Sequence, residues 1–124
     1  MLGHMPHPVV FFEVAGRDRA ALRDFYTQAF GWTAADIPGP MEYTTIEPGG
    51  EGGIAGGIGP DPTGGAGHVT FYVDTDDIEA TLEQIEQLGG ARSMGPVDIP
   101  QGRIAHFTDP EGHTVGLWSG QAPS

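Results

Sequence analysis

The sequence predicts an α+β domain built from two βαβββ modules. Each half has a strand-like segment, then an amphipathic helix, then three further strand-like runs. The halves superpose at a spacing of about 59 residues, which places Val9 on His68, Val14 on Val73 and Gly31 on Gly90. Since three strands follow each helix directly, alternating parallel units are excluded, and we expect a curved mixed sheet, an open barrel, with the helices outside.

The first module is predicted at residues 9–58, after an arm of residues 1–8 that has no periodicity and is expected to be disordered or a cloning scar. A helix is expected at 17–30, ended by Gly31. Its apolar face consists of Leu22, Phe25, Tyr26, Ala29 and Phe30. The strands of this module are expected at 9–14, 33–37, 42–47 and 53–58.

The second module is predicted at residues 68–118, between a glycine- and proline-rich linker at 59–67 and a tail at 119–124. Its helix is expected at 76–88, with Asp76 or Asp77 as the N-cap. Its strands are expected at 68–73, 91–99, 102–108 and 113–118, and the last two are joined by a tight turn at 109–112.

Strand alternation predicts which side chains face a cavity. In the strand at 68–73 the apolar set Val69, Phe71 and Val73 is expected to dock on a helix, as are Val10, Phe12 and Val14 in the first strand. The opposite face of the sheet then carries Phe11, Glu13, His68, Thr70, Tyr72, His106 and Trp118. Aromatic groups mixed with a few hydrogen-bonding groups are typical of a small-molecule pocket.

Composition excludes several classes of function. The formal net charge is −12, so nucleic acid and anionic membranes are poor partners. The chain has no cysteine, which excludes disulfides, thiolate zinc sites and a cysteine nucleophile. It has no lysine, which excludes Schiff-base chemistry. No apolar run reaches the length of a membrane span and no signal peptide is evident, so we expect a cytoplasmic protein.

Three segments of the chain carry a resemblance to a known family. They are GHVTFYVDTDD in the second half, the Phe25–Tyr26 pair before Phe30-Gly31-Trp32, and DPEGHTVGLW near the end. Together they resemble the vicinal oxygen chelate superfamily, which contains glyoxalase I, fosfomycin and bleomycin resistance proteins, and extradiol dioxygenases. The opening PVVFFEVAGRD and the run GGIAGGIGP are most similar to an uncharacterised glyoxalase-like branch common in actinobacteria.

The resemblance implies one divalent metal, held by the first and last strands of each half. The corresponding positions are Val9, residues 54–58, His68 and Gly116, so three of the four lack a ligating side chain. A catalytic divalent ion needs about three protein ligands. The sequence therefore predicts no metal and no cofactor, and it disfavours metal-dependent chemistry.

Two functions stay open. In the first, the protein binds or sequesters a hydrophobic or aromatic compound, with Phe11, Thr70, Tyr72 and Trp118 as contacts and His68 orienting it. In the second, it is a small lyase, isomerase or dioxygenase. That enzyme could be metal-free, with Glu13, His68 and His106 moving protons, or could hold a metal irregularly through His7, His68, His106 and Glu13.

The resemblance also implies a homodimer, since members of the superfamily join halves across subunits. One half's sheet is too small to enclose a ligand, and a partner would also bury apolar sheet edges.

Overall fold

The computed structural model describes residues 6–38, 42–47, 49–61 and 65–120. The predicted cloning scar before Met5 and the end of the predicted tail lie outside these residues, as does the middle of the predicted linker. The described residues form two compact units, one of residues 11–70 and one in which residues 6–10 join residues 71–120.

The first module contains five elements, in the predicted order. They are β1 (Val9–Gly16), α1 (Arg19–Phe30), β2 (Thr33–Ile37), β3 (Tyr43–Glu47) and β4 (Ala55–Pro60). The strand order is β2-β3-β4-β1, with β1 parallel to β4 and the other neighbours antiparallel. Strand β4 begins and ends later than predicted, because Gly53 closes a turn onto Gly50 while Gly59 and Pro60 still pair with β1.

The second module repeats this arrangement. Its elements are β5 (His68–Asp74), α2 (Ile78–Gln87), β6 (Ala91–Ile99), β7 (Gly102–Thr108) and β8 (Thr114–Ser119). The strand order is β5-β8-β7-β6, with β5 parallel to β8. The α+β class and the tandem βαβββ modules are therefore confirmed. Backbone atoms of the N-terminal arm join this unit, because the Pro8 carbonyl accepts a hydrogen bond of 2.9 Å from the Asp74 amide.

Capping side chains set where the helices begin and end. Asp18 accepts a hydrogen bond from the Ala21 amide at 3.0 Å, so α1 begins two residues later than predicted. Asp77 caps α2 in the same way, as one of the two predicted candidates. Gly31 adopts the left-handed conformation that ends α1 as predicted.

Each module has its own core between its helix and its sheet. In the second module Ile78 and Leu82 of α2 are buried against Ala105 and Leu117. In the first module the buried residues Val14, Ile46 and Ile58 come from strands alone. Helix α1 buries no residue completely, and the half-buried residues Leu22 and Tyr26 provide its contact with the sheet.

Two expectations about apolar packing are wrong. Phe25 and Phe30 were expected on the packed face of α1, but their exposed fractions are 63% and 62%. Leu22 and Tyr26 make the contact with the sheet instead, and Phe30 is the last helical residue. Val69 and Phe71 were expected to dock on a helix, but they are exposed as well. Helix α2 packs over β6, β7 and β8, and of the three apolar residues of β5 only Val73 reaches its core.

A polar network fastens α1 to the sheet of the first module. The fully buried Thr44 hydroxyl donates to Asp36 at 2.6 Å and accepts from Arg19 at 2.7 Å. The Thr44 hydrogen bond, with Arg23 and Arg19 nearby, holds the pKa of Asp36 below its ordinary value. Since these groups come from three elements, the network fixes the position of α1 although the helix buries little apolar surface.

The turn between β7 and β8 is ordered by one carboxylate. Asp109 accepts hydrogen bonds from the amides of Glu111 and His113, and the exposed His113 ring lies 2.9 Å from it. None of the helices in the described ranges has the length and apolar character needed to cross a bilayer.

Candidate ligand-binding faces

The predicted inward residues of the second module share one face of its sheet. Val73, Ala105 and Leu117 contact the α2 core, so their neighbours along each strand point to the other face. Tyr72 of β5 pairs in register with Gly116 of β8, which pairs with His106 of β7. These three residues therefore lie side by side across three strands on the face opposite α2.

A short hydrogen bond joins the two outer residues of this row. The Tyr72 phenol oxygen lies 2.7 Å from His106 Nε2, and both side chains are buried. The phenol can reach β7 because Gly116, on the intervening strand β8, has no side chain. A Cβ atom on Gly116 would lie 2.5 Å from the Tyr72 ring, so the ring lies directly on the glycine.

Trp118 lies on this same face, next to the hydrogen-bonded pair. It pairs with Ile104, two residues along β7 from His106, and its indole is half-buried. The predicted common face of Tyr72, His106 and Trp118 is thus present in the second module. Their role as ligand contacts stays a prediction.

The first module carries an equivalent arrangement, which the sequence reasoning found only in part. Phe12 and Val14 contact the α1 core, so Phe11 and Glu13 lie on the opposite face as predicted. There the Tyr43 phenol donates a hydrogen bond of 2.8 Å to Glu13.

The Tyr43 ring lies over a glycine, as Tyr72 does. A Cβ atom on Gly57 would lie 2.4 Å from the nearest carbon of the Tyr43 ring, at its phenol end, and Gly57 pairs with Glu13 in register. The repeat spacing of about 59 residues relates Glu13 to Tyr72 and Gly57 to Gly116. Tyr43 was missed in the sequence analysis. The matched glycines were the signal that could have pointed to an aromatic ring lying across this strand.

The other two predicted inward residues belong to β5. Thr70 is buried and His68 is half-buried, and alternation places both on the same side of the strand as Tyr72. His68 also borders an open cavity of about 450 Å³. The lining of this cavity includes the start of α1, residues 66–69, Val14 and Tyr26.

A second cavity lies on the helix side of the first module. Its volume is about 300 Å³, and its lining residues are Phe12, Trp32, Ile46, Glu47, Gly49, Gly53 and Ile54. The sequence analysis gave no binding role to Trp32 or Phe12. Trp32 follows the helix terminator Gly31, and only the return of the chain into β2 brings its indole against Phe12.

The residues at the superfamily's metal positions do not fit a metal. Val9 is apolar, residues 55–58 of β4 are Ala, Gly, Gly and Ile, and Gly116 is covered by the Tyr72 ring. His68 is the one imidazole at these four positions. Among the described ranges, no three His, Asp or Glu side chains converge on one point. His7, named for an irregular site, has its Nδ1 3.0 Å from the Asp74 carbonyl oxygen.

Comparison with known proteins agrees with this architecture. The family described as Glyoxalase/Bleomycin resistance protein/Dioxygenase superfamily matches residues 6–117. The anthracycline biosynthesis protein DnrV of Streptomyces peucetius is 35% identical over 129 residues, which are 91% of this chain and 47% of that protein. The chain therefore spans about half the length of that relative.

Two solved structures share the fold at low sequence identity. A hypothetical protein from Bacillus halodurans has a TM-score of 0.71 at 11% identity, over 97% of this chain and 99% of its own. A methylmalonyl-CoA epimerase in complex with methylmalonyl-CoA has a TM-score of 0.65 at 15% identity, over 94% and 99%. The two modules, their shared spacing and the family match together establish that the chain belongs to the glyoxalase, bleomycin resistance protein and dioxygenase superfamily, the vicinal oxygen chelate superfamily.

Proposed function

We propose that this protein binds a flat, apolar or aromatic small molecule without a metal, on the sheet face opposite α2. The buried Tyr72–His106 hydrogen bond, with Trp118 beside it, carries the proposal. It fixes two polar groups next to a large aromatic surface. Small-molecule sites commonly combine an apolar lining with a few precisely held polar groups. The ligand contacts expected from the sequence at Phe11 and Thr70, and the orienting role expected for His68, stay predictions.

The nature of one relative supports an aromatic ligand. DnrV is named for anthracycline biosynthesis, and anthracyclines are planar polycyclic aromatic compounds. This chain spans about half of that protein, so a role of this chain in anthracycline biosynthesis is itself a proposal. An anthracycline aglycone, which is uncharged and planar, is the probe that follows from this comparison.

The aglycone should quench the tryptophan emission of this protein in a saturable titration. The chain has two tryptophans, so the Trp118→Phe variant reports on Trp32 alone. We expect this variant to lose most of the quenching and to bind about tenfold more weakly, because one stacking contact is reduced. The Trp32→Phe variant is the control and should keep the affinity. Unchanged quenching in Trp118→Phe would mean that the wrong face has been assigned.

Catalysis without a metal is the second candidate. The Tyr72 phenol and His106 Nε2, 2.7 Å apart, could pass a proton to or from a ligand, and Glu13 with Tyr43 could do so in the first module. An isomerase or lyase of this kind would exchange a ligand proton with solvent. Deuterium incorporation from heavy water that stops in His106→Gln would favour this function over binding alone.

Divalent metals should bind weakly. With His68 as the one donor at the superfamily's positions, we expect nickel, zinc, iron or manganese to show no submicromolar one-to-one site in titration calorimetry. His68→Ala should cost no more than about 2 kcal/mol of folding stability. A tight site that disappears in His68→Ala would contradict the metal-free proposal.

A homodimer remains part of the proposal, as does a cytoplasmic location. Nine large apolar residues in the described ranges are exposed, Phe25, Phe30, Val69 and Phe71 among them, and contiguous exposed apolar surface commonly marks an interface. This chain matches 47% of the longer relative, so two copies would come close to the length of that protein. Light scattering at micromolar concentration should give twice the chain mass, and Phe25→Ser with Phe30→Ser should lower it. The mass of a single chain would count against the dimer.

A further inference from the structure

The cavity beside Trp32 is lined by residues of the first module alone. It lies on the helix side of the first module, where Phe12 and Ile46 form its floor and Trp32 forms a wall. Glu13 and Tyr43 lie on the other face of the same sheet. We call this cavity the Trp32 groove, and its lining residues include none of Tyr72, His106 and Trp118.

The groove is open because α1 does not fill the space above its sheet. Helix α2 buries Ile78 and Leu82, whereas α1 buries no residue completely. Beyond the end of α1 the apolar layer is continued by Trp32, and loop residues Gly49 and Gly53 line the groove without side chains of their own.

Aromatic contacts hold the Trp32 wall in place. The indole stacks on Tyr26 with a centroid distance of 5.8 Å and an interplanar angle of 9°. It also contacts Phe12 at 5.4 Å, and the Phe12 ring in turn lies against Gly56. A wall ordered before binding loses little conformational freedom when a planar ligand stacks on it.

A free carboxylate stands at the rim. Glu47 lines the groove and is exposed, and its carboxylate makes no hydrogen bond or ion pair with any residue in the described ranges. The net charge of −12 adds an attractive field for cations. Tryptophan is also the side chain whose ring attracts a cation most strongly.

We propose that the Trp32 groove is a second ligand site, which takes a planar aromatic cation with its ring against Trp32 and Phe12 and its positive charge toward Glu47. The aromatic wall supplies stacking, and the carboxylate supplies the preference for charge. This site does not depend on the function proposed for the opposite face of the second module.

Two probes of similar shape test the charge preference. N-methylquinolinium carries a fixed positive charge, and quinoline is neutral at about pH 7.5. Calorimetric titration should give a dissociation constant about tenfold lower for the cation, a difference of about 1.4 kcal/mol. In the Trp118→Phe protein, whose emission comes from Trp32 alone, the cation should quench fluorescence in a saturable way with the same constant.

Variants distinguish binding in the Trp32 groove from general attraction of the cation by the net negative charge of the protein. Glu47→Gln should bring the dissociation constants of the two probes to within about threefold of each other, a difference of less than 1 kcal/mol in binding free energy. Glu83→Gln, on the exposed face of α2, removes the same charge and should leave the preference intact. Trp32→Leu should weaken both probes. If that variant does not fold, Gly49→Leu serves instead, because a Cβ there would lie 3.5 Å from the indole and a longer side chain would cover it.

Two outcomes would overturn the proposal. One is equal affinity for the cation and for quinoline in the unmodified protein. The other is an equal loss of the preference for the cation in Glu47→Gln and Glu83→Gln, since the preference would then come from the net charge of the whole chain. Neither outcome bears on the aglycone titration, which reports on Trp118.

Discussion

Replacing Gly116 with alanine should destabilise the protein by about 1–3 kcal/mol, because the new methyl group would enter the space that the buried Tyr72 ring occupies. Moving the ring would also separate its phenol from His106 Nε2. We therefore expect the aglycone to bind at least about tenfold more weakly, since a displaced ring and a broken hydrogen bond change the proposed face together. Urea unfolding and tryptophan quenching measure the two effects.

Two other glycines provide matched comparisons. Gly57→Ala should be destabilising in the same way, because the Tyr43 ring occupies the equivalent space in the first module. Gly50→Ala should change stability by less than about 0.5 kcal/mol, as nothing lies within 4 Å of a Cβ at that position. Unfolding of Gly116→Ala at the same urea concentration as Gly50→Ala would show that Tyr72 does not lie across β8.

Strand boundaries and helix caps were predictable from the sequence, because interactions between residues close together in the chain determine them. Strands β6 and β7 begin and end where alternation and turn residues place them. Asp77 caps α2 through a side chain three residues from the amide it binds. The two modules were recognisable because the same order of strand, helix and glycine terminator recurs.

Contacts between distant segments were less predictable. The Tyr43–Glu13 hydrogen bond joins residues 30 positions apart, and it depends on the register of β3 against β4 and of β4 against β1. Helical periodicity grouped Phe25 with Tyr26, but it does not tell how far a sheet extends beneath a helix. The Trp32 groove has the same origin, since it forms where α1 ends above its sheet.

The Tyr72–His106 pair can be tested as a unit by a double-mutant cycle. Tyr72→Phe removes the hydroxyl group and leaves the ring, and His106→Leu removes the imidazole. Each single change should cost about 1–3 kcal/mol, because it takes a hydrogen-bond partner away from a buried polar group. The double variant should cost clearly less than the sum, since both polar groups are then absent.

The coupling distinguishes a true pair from two side chains that merely share a face. Residues in one hydrogen bond show interaction energies of about 0.5–3 kcal/mol, whereas independent sites add to within about 0.5 kcal/mol. Tyr43→Phe combined with His106→Leu is the additive control, because the Tyr43 phenol donates to Glu13 in the other module. If Tyr72→Phe and His106→Leu were also additive, the hydrogen bond would contribute nothing to stability. The proposed site would then lose the fixed polar groups that make it suited to binding a ligand.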